Sequence, residues 1–401
     1  MEREISSYVE NHLKRILGKN MCIDIFNGNY VVNNYLNFKI YEFWNKNDKE
    51  LIEDFLDYSF EEDYIGTIFF FLSGYWEYIH NNVKDNFGRF PATESFQIHK
   101  NILEYPVVDI LIEEIRKKLN LKYLEEKTKI FVTHDIDFLG IYNFRTFTKS
   151  FLGDIIKRKN FRFFLKRLKT IISGKNPFEV FNLIDLHKKY NTKGTFFFMP
   201  RIQPKKFGGG YNVSKNITYL KKLGQCIIEN GCNIGIHYDV RYMENEKNYE
   251  DIRLLEKIFL RDINIGRAHY LIFDIKKSFQ TFEKCGIKVD STCCYADRIG
   301  FRFGTCKPFM PYNFFERREY TFYEYPLIIM DTTLNNKKYM NMNKIDALEK
   351  AKMIIDQVDL YKGTFTFLWH NTSFFIPSWE GWEKVYEEIL RYCKKKEFEF
   401  I

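Results

Sequence analysis

From residue 128 onward the chain alternates between short apolar runs and longer amphipathic stretches. Residues 129–133, 194–199, 233–236, 266–270, 288–290, 322–330 and 363–369 read as strands. Residues 177–190, 216–229, 246–260, 275–285, 344–360 and 379–395 carry apolar side chains at helical spacing. The last stretch shows it well, with Trp382, Val385, Tyr386, Ile389, Leu390 and Cys393 on one face. Alternation of strand and helix predicts an α/β fold. Residues 1–127 lack that rhythm. They are aromatic-rich, with helices expected over 59–78 and 107–119 and a loop over 87–92. The pattern divides the chain into a smaller mixed α/β domain, 1–127, and a (β/α) barrel, 128–401.

Polar side chains gather at the C-terminal ends of the expected strands. His134, Asp135 and Asp137 follow the first, and His237 follows the third. Arg267 and His269 close the fourth, Asp290 the fifth and Asp331 the sixth, and His370 follows the last. In a (β/α) barrel these ends converge on one rim, where active sites are built. Four other histidines, His12, His80, His99 and His187, read as incidental. In Thr-His-Asp-Ile-Asp, residues 133–137, extended backbone turns Asp135 and Asp137 to the same side. Two adjacent carboxylates repel, and a cation relieves the repulsion, one acid ligating while the other acts as a base. The plainer alternative is a pair of solvated loop acids or a helix cap. His237 reads as a metal ligand once Asp137 shares its rim, and otherwise as a hydrogen-bonded core histidine. His370 suits general acid work because its pKa lies near neutrality, with a structural histidine as the alternative.

Taken in order, these residues resemble a known family. The region from Ile130 to the C-terminus resembles the polysaccharide deacetylase (NodB-homology) domain, carbohydrate esterase family four. Residues 133–137 resemble its first motif, and Gly-Thr-Phe-Phe-Phe-Met-Pro at 194–200 resembles the T-x-F-x-x-P strand that often follows. His237 matches the first histidine of H-x-x-x-H, Arg-Ala-His-Tyr at 267–270 resembles R-x-P-Y, and Leu-Trp-His at 368–370 resembles the closing motif. The strings at 70–78, 88–95, 286–292, 300–304 and 326–331 resemble a bacterial subgroup with a preceding domain of unknown function.

The resemblance implies a distorted (β/α) barrel of the NodB-homology type and a divalent metal cofactor, with zinc the metal expected. It implies Asp135 as base, Arg267 as the group that orients it, His370 as acid, and Asp137 and His237 as ligands. Substrate contacts are expected from Tyr270, Asp290, Arg302 and Trp369. Two positions depart from the family. The second histidine of H-x-x-x-H falls at Arg241, which stays protonated and cannot ligate. The proline of R-x-P-Y is His269. His269 is the proposed third ligand, with Asp239 and His134 as alternatives. The expected function is removal of N-acetyl or O-acetyl groups from an amino-sugar-containing polysaccharide or glycoconjugate precursor. The alternatives are a catalytically inactive carbohydrate-binding or scaffold protein of surface-polysaccharide biosynthesis, and a hydrolase of non-sugar amides.

Composition narrows the setting. Of 401 residues, 45% are hydrophobic and 28% charged, which excludes a disordered chain and a membrane bundle. No window reaches the roughly 18 apolar residues of a membrane helix, and the N-terminus lacks the apolar core of a secretion signal. Eight cysteines without a C-x-x-C pair read as free thiols of a reducing compartment, so a cytoplasmic location is expected. The net charge is +8, and residues 145–175 hold ten basic side chains against Asp154 alone. This basic amphipathic insertion, at 141–176, suits an anionic membrane surface and a lipid-linked glycan met at the inner membrane face. The alternative is a helix packed on the barrel with a solvated basic face. Nucleic acid is not an expected partner, since no recognised module is present.

Overall fold

The fold comes from a computed structural model that describes residues 1–125, 127–139, 165, 179–374 and 379–401. The expected basic insertion at 141–176 lies outside these residues, position 165 apart.

The barrel rests on a large sheet whose strands are β1 (Lys129–Ile136), β2 (Thr195–Phe198), β3 (Asn233–Tyr238), β4 (Ile265–Ala268), β5 (Val289–Asp290), β6 (Tyr323–Glu324), β7 (Ile329–Met330), β8 (Thr364–Leu368) and β9 (Glu399–Phe400). Their order is β6-β5-β4-β3-β2-β1-β8-β7, with β9 paired to the start of β1. Every pair is parallel. Parallel strands covered on both faces read as continuous apolar runs, and Phe196, Phe197 and Phe198 of β2 are all fully buried. Gly235 lets β3 pass this layer, because a Cβ there would stand 2.6 Å from the Phe197 ring and 2.8 Å from the Ile265 carbonyl.

The expected strand over 322–330 is two strands. Pro326 has no N–H to give a ladder, and the chain breaks between Glu324 and Ile329. β6 and β7 stand at opposite ends of the sheet order. The short link between them, whose Tyr325 and Ile328 N–H groups donate to the Asp290 and Thr366 carbonyls, spans the seam, and the result is a distorted (β/α) barrel. Helices Phe181–Tyr190, Ile217–Glu229, Lys247–Phe259, Ser278–Lys284, Lys344–Leu360 and Trp382–Lys395 surround it. Among the described residues, no helix is long and apolar enough to cross a membrane. All eight cysteines are free thiols.

The preceding region is mixed α/β. A helix, Glu2–Leu17, buries Ile5, Val9, Leu13 and Ile16 along one face. An antiparallel meander follows, Ile23–Phe26, Asn29–Val32 and Leu36–Lys39. The helix expected over 59–78 is broken. Asp63 caps Tyr64–Leu72 by accepting from the Gly66 N–H at 2.8 Å, which leaves Ser59–Phe60 to pair as a strand. Gly74, at φ 65°, then separates off Tyr75–Ile79.

Buried apolar side chains of this region and of the barrel form one continuous cluster. Polar ties cross as well. Tyr8 donates to the Met310 carbonyl at 2.8 Å, and Arg15 pairs with Glu319. Among the described residues, the most buried ion pair between this region and the barrel is Arg302 with Glu77, their side chains 2% and 6% exposed. Arg302 Nε lies 3.1 Å from the Glu77 carboxylate, and its other arm donates to the Cys294 carbonyl at 2.8 Å. Glu77→Ala strands a buried guanidinium and is expected to cost about 3–5 kcal/mol, read from urea midpoints. A loss under about 1 kcal/mol would show the pair to be dispensable.

Candidate active site

The site is assembled at the C-terminal rim. Asp135 sits near the end of β1 with Asp137 just beyond it, His237 lies on β3, Arg267 on β4, and His269 directly after β4. His370 follows β8. A cavity of about 210 Å³ opens here, lined by Asp135, Asp137, His269, Tyr270, Tyr339 and His370 among others. His237 lies beneath, fully buried.

The two histidines have their tautomers set by carbonyls. His237 Nδ1 is 3.0 Å from the Arg267 carbonyl oxygen, so Nδ1 carries the proton and Nε2 presents a lone pair. His269 Nε2 is 3.1 Å from the Gly208 carbonyl oxygen, so its Nδ1 presents the lone pair. These two bare nitrogens stand 3.1 Å apart. Asp137 Oδ1 lies 3.6 Å from the first and 3.7 Å from the second. It is buried and has no hydrogen-bond partner. Three atoms with lone pairs face one another, an arrangement that a cation at their centre would satisfy. Donors about 2.1 Å from a tetrahedral centre stand roughly 3.4 Å apart, so the observed triangle has the right size. Asp137, His237 and His269 are thus a group able to hold a metal ion.

Burial sets the charges. It pulls His237 and His269 down to about 3, so both are neutral, and the short approach of His237 to Asp135 is not an ion pair. Burial pushes Asp137 up to about 7, with Asp135 adding to the shift. A bound cation reverses that push.

Beside the triangle, Asp135 Oδ2 lies 3.5 Å from His237 Nε2. Its other oxygen is 3.4 Å from Arg267. The Arg267 guanidinium is held by Thr133 Oγ1 at 2.5 Å, the Ser291 carbonyl at 2.8 Å and Ser291 Oγ at 2.7 Å. Across the cleft, His370 Nδ1 is 2.7 Å from Asp331 Oδ1, and the His370 backbone N–H donates to Asp331 Oδ2 at 2.8 Å. His370 Nε2 then faces Asp135 at 3.9 Å. Burial opposes charge on His370, but Asp331 outweighs it and holds the imidazole up at about 10.

The turn after His269 is strained. Tyr270 and Leu271 have φ of 60° and 54°, a left-handed pair uncommon without glycine. Such residues cost of order 1–3 kcal/mol each and persist only where their surroundings hold them.

Of the three alternatives for a third ligand, only His269 reaches Asp137 and His237. Asp239 is taken by Arg241, whose Nε donates to it at 2.9 Å. His134 bonds the Trp369 carbonyl at 2.7 Å and His187 at 3.0 Å, so His187 is part of a buried polar chain and not incidental.

Three expected substrate contacts are placed elsewhere. Asp290 is fully buried, opposite Glu324 in the sheet. Arg302 turns to Glu77. Trp369 packs among Phe367, Trp382 and Tyr386. Asp290 and Trp369 sit at or just past strand ends but point into the core, and Arg302 lies in a turn away from any strand. Tyr270 does line the cavity. Two groups of the site were not among the expected site residues: Asp331, buried behind His370, and Arg89, which lines the cavity. Asp331 carried a signal, its place at a strand end. Arg89 carried none.

A model of a family of unknown function, DUF7033, matches residues 5–124. No curated protein matches the chain. Among solved structures, one from Mycobacterium smegmatis assigned as a polysaccharide deacetylase aligns at 14% identity and a TM-score of 0.44, over 70% of this chain and 88% of that one. The polysaccharide deacetylase Bc1974 from Bacillus cereus aligns at 16% and 0.32, over 68% and 91%. The catalytic domain of a peptidoglycan N-acetylglucosamine deacetylase from Eubacterium rectale aligns at 12% and 0.34, over 69% and 88%.

Proposed function

We propose that the chain is a metal-dependent hydrolase that removes N-acetyl groups, and by the same chemistry O-acetyl groups, from an amino-sugar-containing glycan or glycoconjugate. One observation carries the reading. Two bare imidazole nitrogens and an unpartnered buried carboxylate oxygen converge beside a second carboxylate, with a histidine–aspartate pair across the cleft.

Asp137, His237 and His269 would hold a divalent ion such as zinc, which when bound acts as a Lewis acid and lowers the pKa of water from about 15.7 toward about 7. Asp135 takes the proton of the attacking water. Arg267 keeps Asp135 oriented from behind. The Tyr270 backbone N–H, on the turn directly after His269, is the proposed donor to the developing oxyanion. His370 is protonated at neutral pH and gives its proton to the departing amine. The products are acetate and a free amino sugar.

The test is acetate release from N-acetylated and O-acetylated glycans by the zinc-loaded protein. Glycan binding without acetate would support the inactive carbohydrate-binding reading instead. A pH profile adds a sharper check. Asp331 raises the His370 pKa, so the acid form persists well above the ordinary value. In Asp331→Asn the alkaline limb of kcat is expected to fall toward 6.5, the ordinary value, or below it. An unmoved limb would remove His370 from the role of acid.

A further inference from the structure

We propose that the loop spanning residues 85–89, in the region before the barrel, is a working part of the metal centre, and that Arg89 is a positioning residue for His269. The inference rests on His269 being the third ligand.

The loop is shaped from within. Asp85 accepts from the backbone N–H groups of Phe87 and Arg89 at 2.8 and 2.9 Å, and from Arg89 Nε at 2.8 Å. Gly88, at φ 87°, completes the turn. The Arg89 guanidinium is thereby fixed and its charge is balanced by Asp85. Its remaining arms reach into the barrel's cleft, one donating to the Tyr270 carbonyl at 3.2 Å and the other to the Tyr339 hydroxyl at 3.3 Å. The Tyr270 carbonyl belongs to the left-handed turn that immediately follows His269.

The same loop also braces the other side of the His269 ring. Phe87 packs against Tyr270 at 5.2 Å and against Phe207 at 6.1 Å between centroids. Lys206 Nζ donates to the Asn86 carbonyl at 2.7 Å. Phe207 precedes Gly208, whose carbonyl accepts from His269 Nε2 and so leaves Nδ1 free to ligate. One loop from outside the barrel thus holds both the strained turn that carries the ligand and the segment that sets its tautomer. Groups that orient a ligand from behind are worth about 10- to 100-fold in metal affinity.

The test measures zinc affinity of the full-length protein by competition with a chelator, with thermal unfolding alongside. Arg89→Ala is expected to bind zinc at least about tenfold more weakly. Arg89→Lys keeps the charge beside Asp85, but one ammonium cannot bond Asp85, Tyr270 and Tyr339 together, so a severalfold loss is expected. Arg15→Met, which loosens the same region at Glu319, is expected to leave zinc affinity unchanged. Wild-type affinity in both Arg89 variants would overturn the inference and leave the metal reading standing. A wild-type protein that holds no zinc would overturn both. A loss in Arg15→Met equal to that in Arg89→Ala would also overturn it, since general loosening would then suffice.

Discussion

Asp135→Asn is expected to lower acetate release by about 100- to 10,000-fold, the range general base catalysis contributes, while one zinc stays bound. The substitution is nearly isosteric. Its amide oxygen still accepts from Arg267, which the wild-type carboxylate meets at 3.4 Å, but it has no affinity for a proton at neutral pH. The three ligating atoms belong to other residues, so metal content is the control that separates lost base from lost site. Arg267 keeps its bonds to Thr133 and Ser291, and Asp290 and Glu324 still favour its charge. The variant should therefore fold. Acetate release within about tenfold of wild type would exclude Asp135 as the base.

The second large effect falls on metal retention. His237→Ala and His269→Ala are each expected to bring the purified protein from one zinc per chain to substoichiometric zinc, with activity falling in step. Removing either leaves two protein donors where an open catalytic site uses three. The effect at His269 is the more telling. Arg241, the position where the family pattern has its second histidine, is engaged by Asp239 and carries no lone pair. His99→Ala, in the region before the barrel, serves as a control. Full zinc content in His269→Ala, measured by elemental analysis, would mean that another donor completes the site.

The barrel was legible because its signals are local. An apolar run followed by a polar residue marks a strand and its rim end, and this located Asp135, Asp137, His237, His269 and His370 from spacing alone. It also misled. Asp290 and Trp369 sit at strand ends yet turn inward, since a strand gives one face to the core and the pattern does not say which residue is last to face the rim. The split between β6 and β7 was marked by Pro326, which the surrounding apolar residues masked. The helix Glu2–Leu17 was not among the expected elements, although Ile5, Val9, Leu13 and Ile16 stand at helical spacing.

Partnerships over long sequence distance left no trace. His370 and Asp331 are 39 residues apart, and Arg89 and Tyr270 are 181 apart. No periodicity connects such pairs. What favours His269 over Asp239 and His134 is likewise long-range: its approach to His237 and Asp137, and the hydrogen bonds that engage the other two.

The central claim is that a single cation is shared by Asp137, His237 and His269. Anomalous diffraction from zinc-loaded crystals, recorded at the zinc absorption edge, tests it most directly. One peak is predicted about 2.0–2.2 Å from Asp137 Oδ1, His237 Nε2 and His269 Nδ1. No peak, or a peak beyond about 3 Å from any one of those atoms, would contradict it.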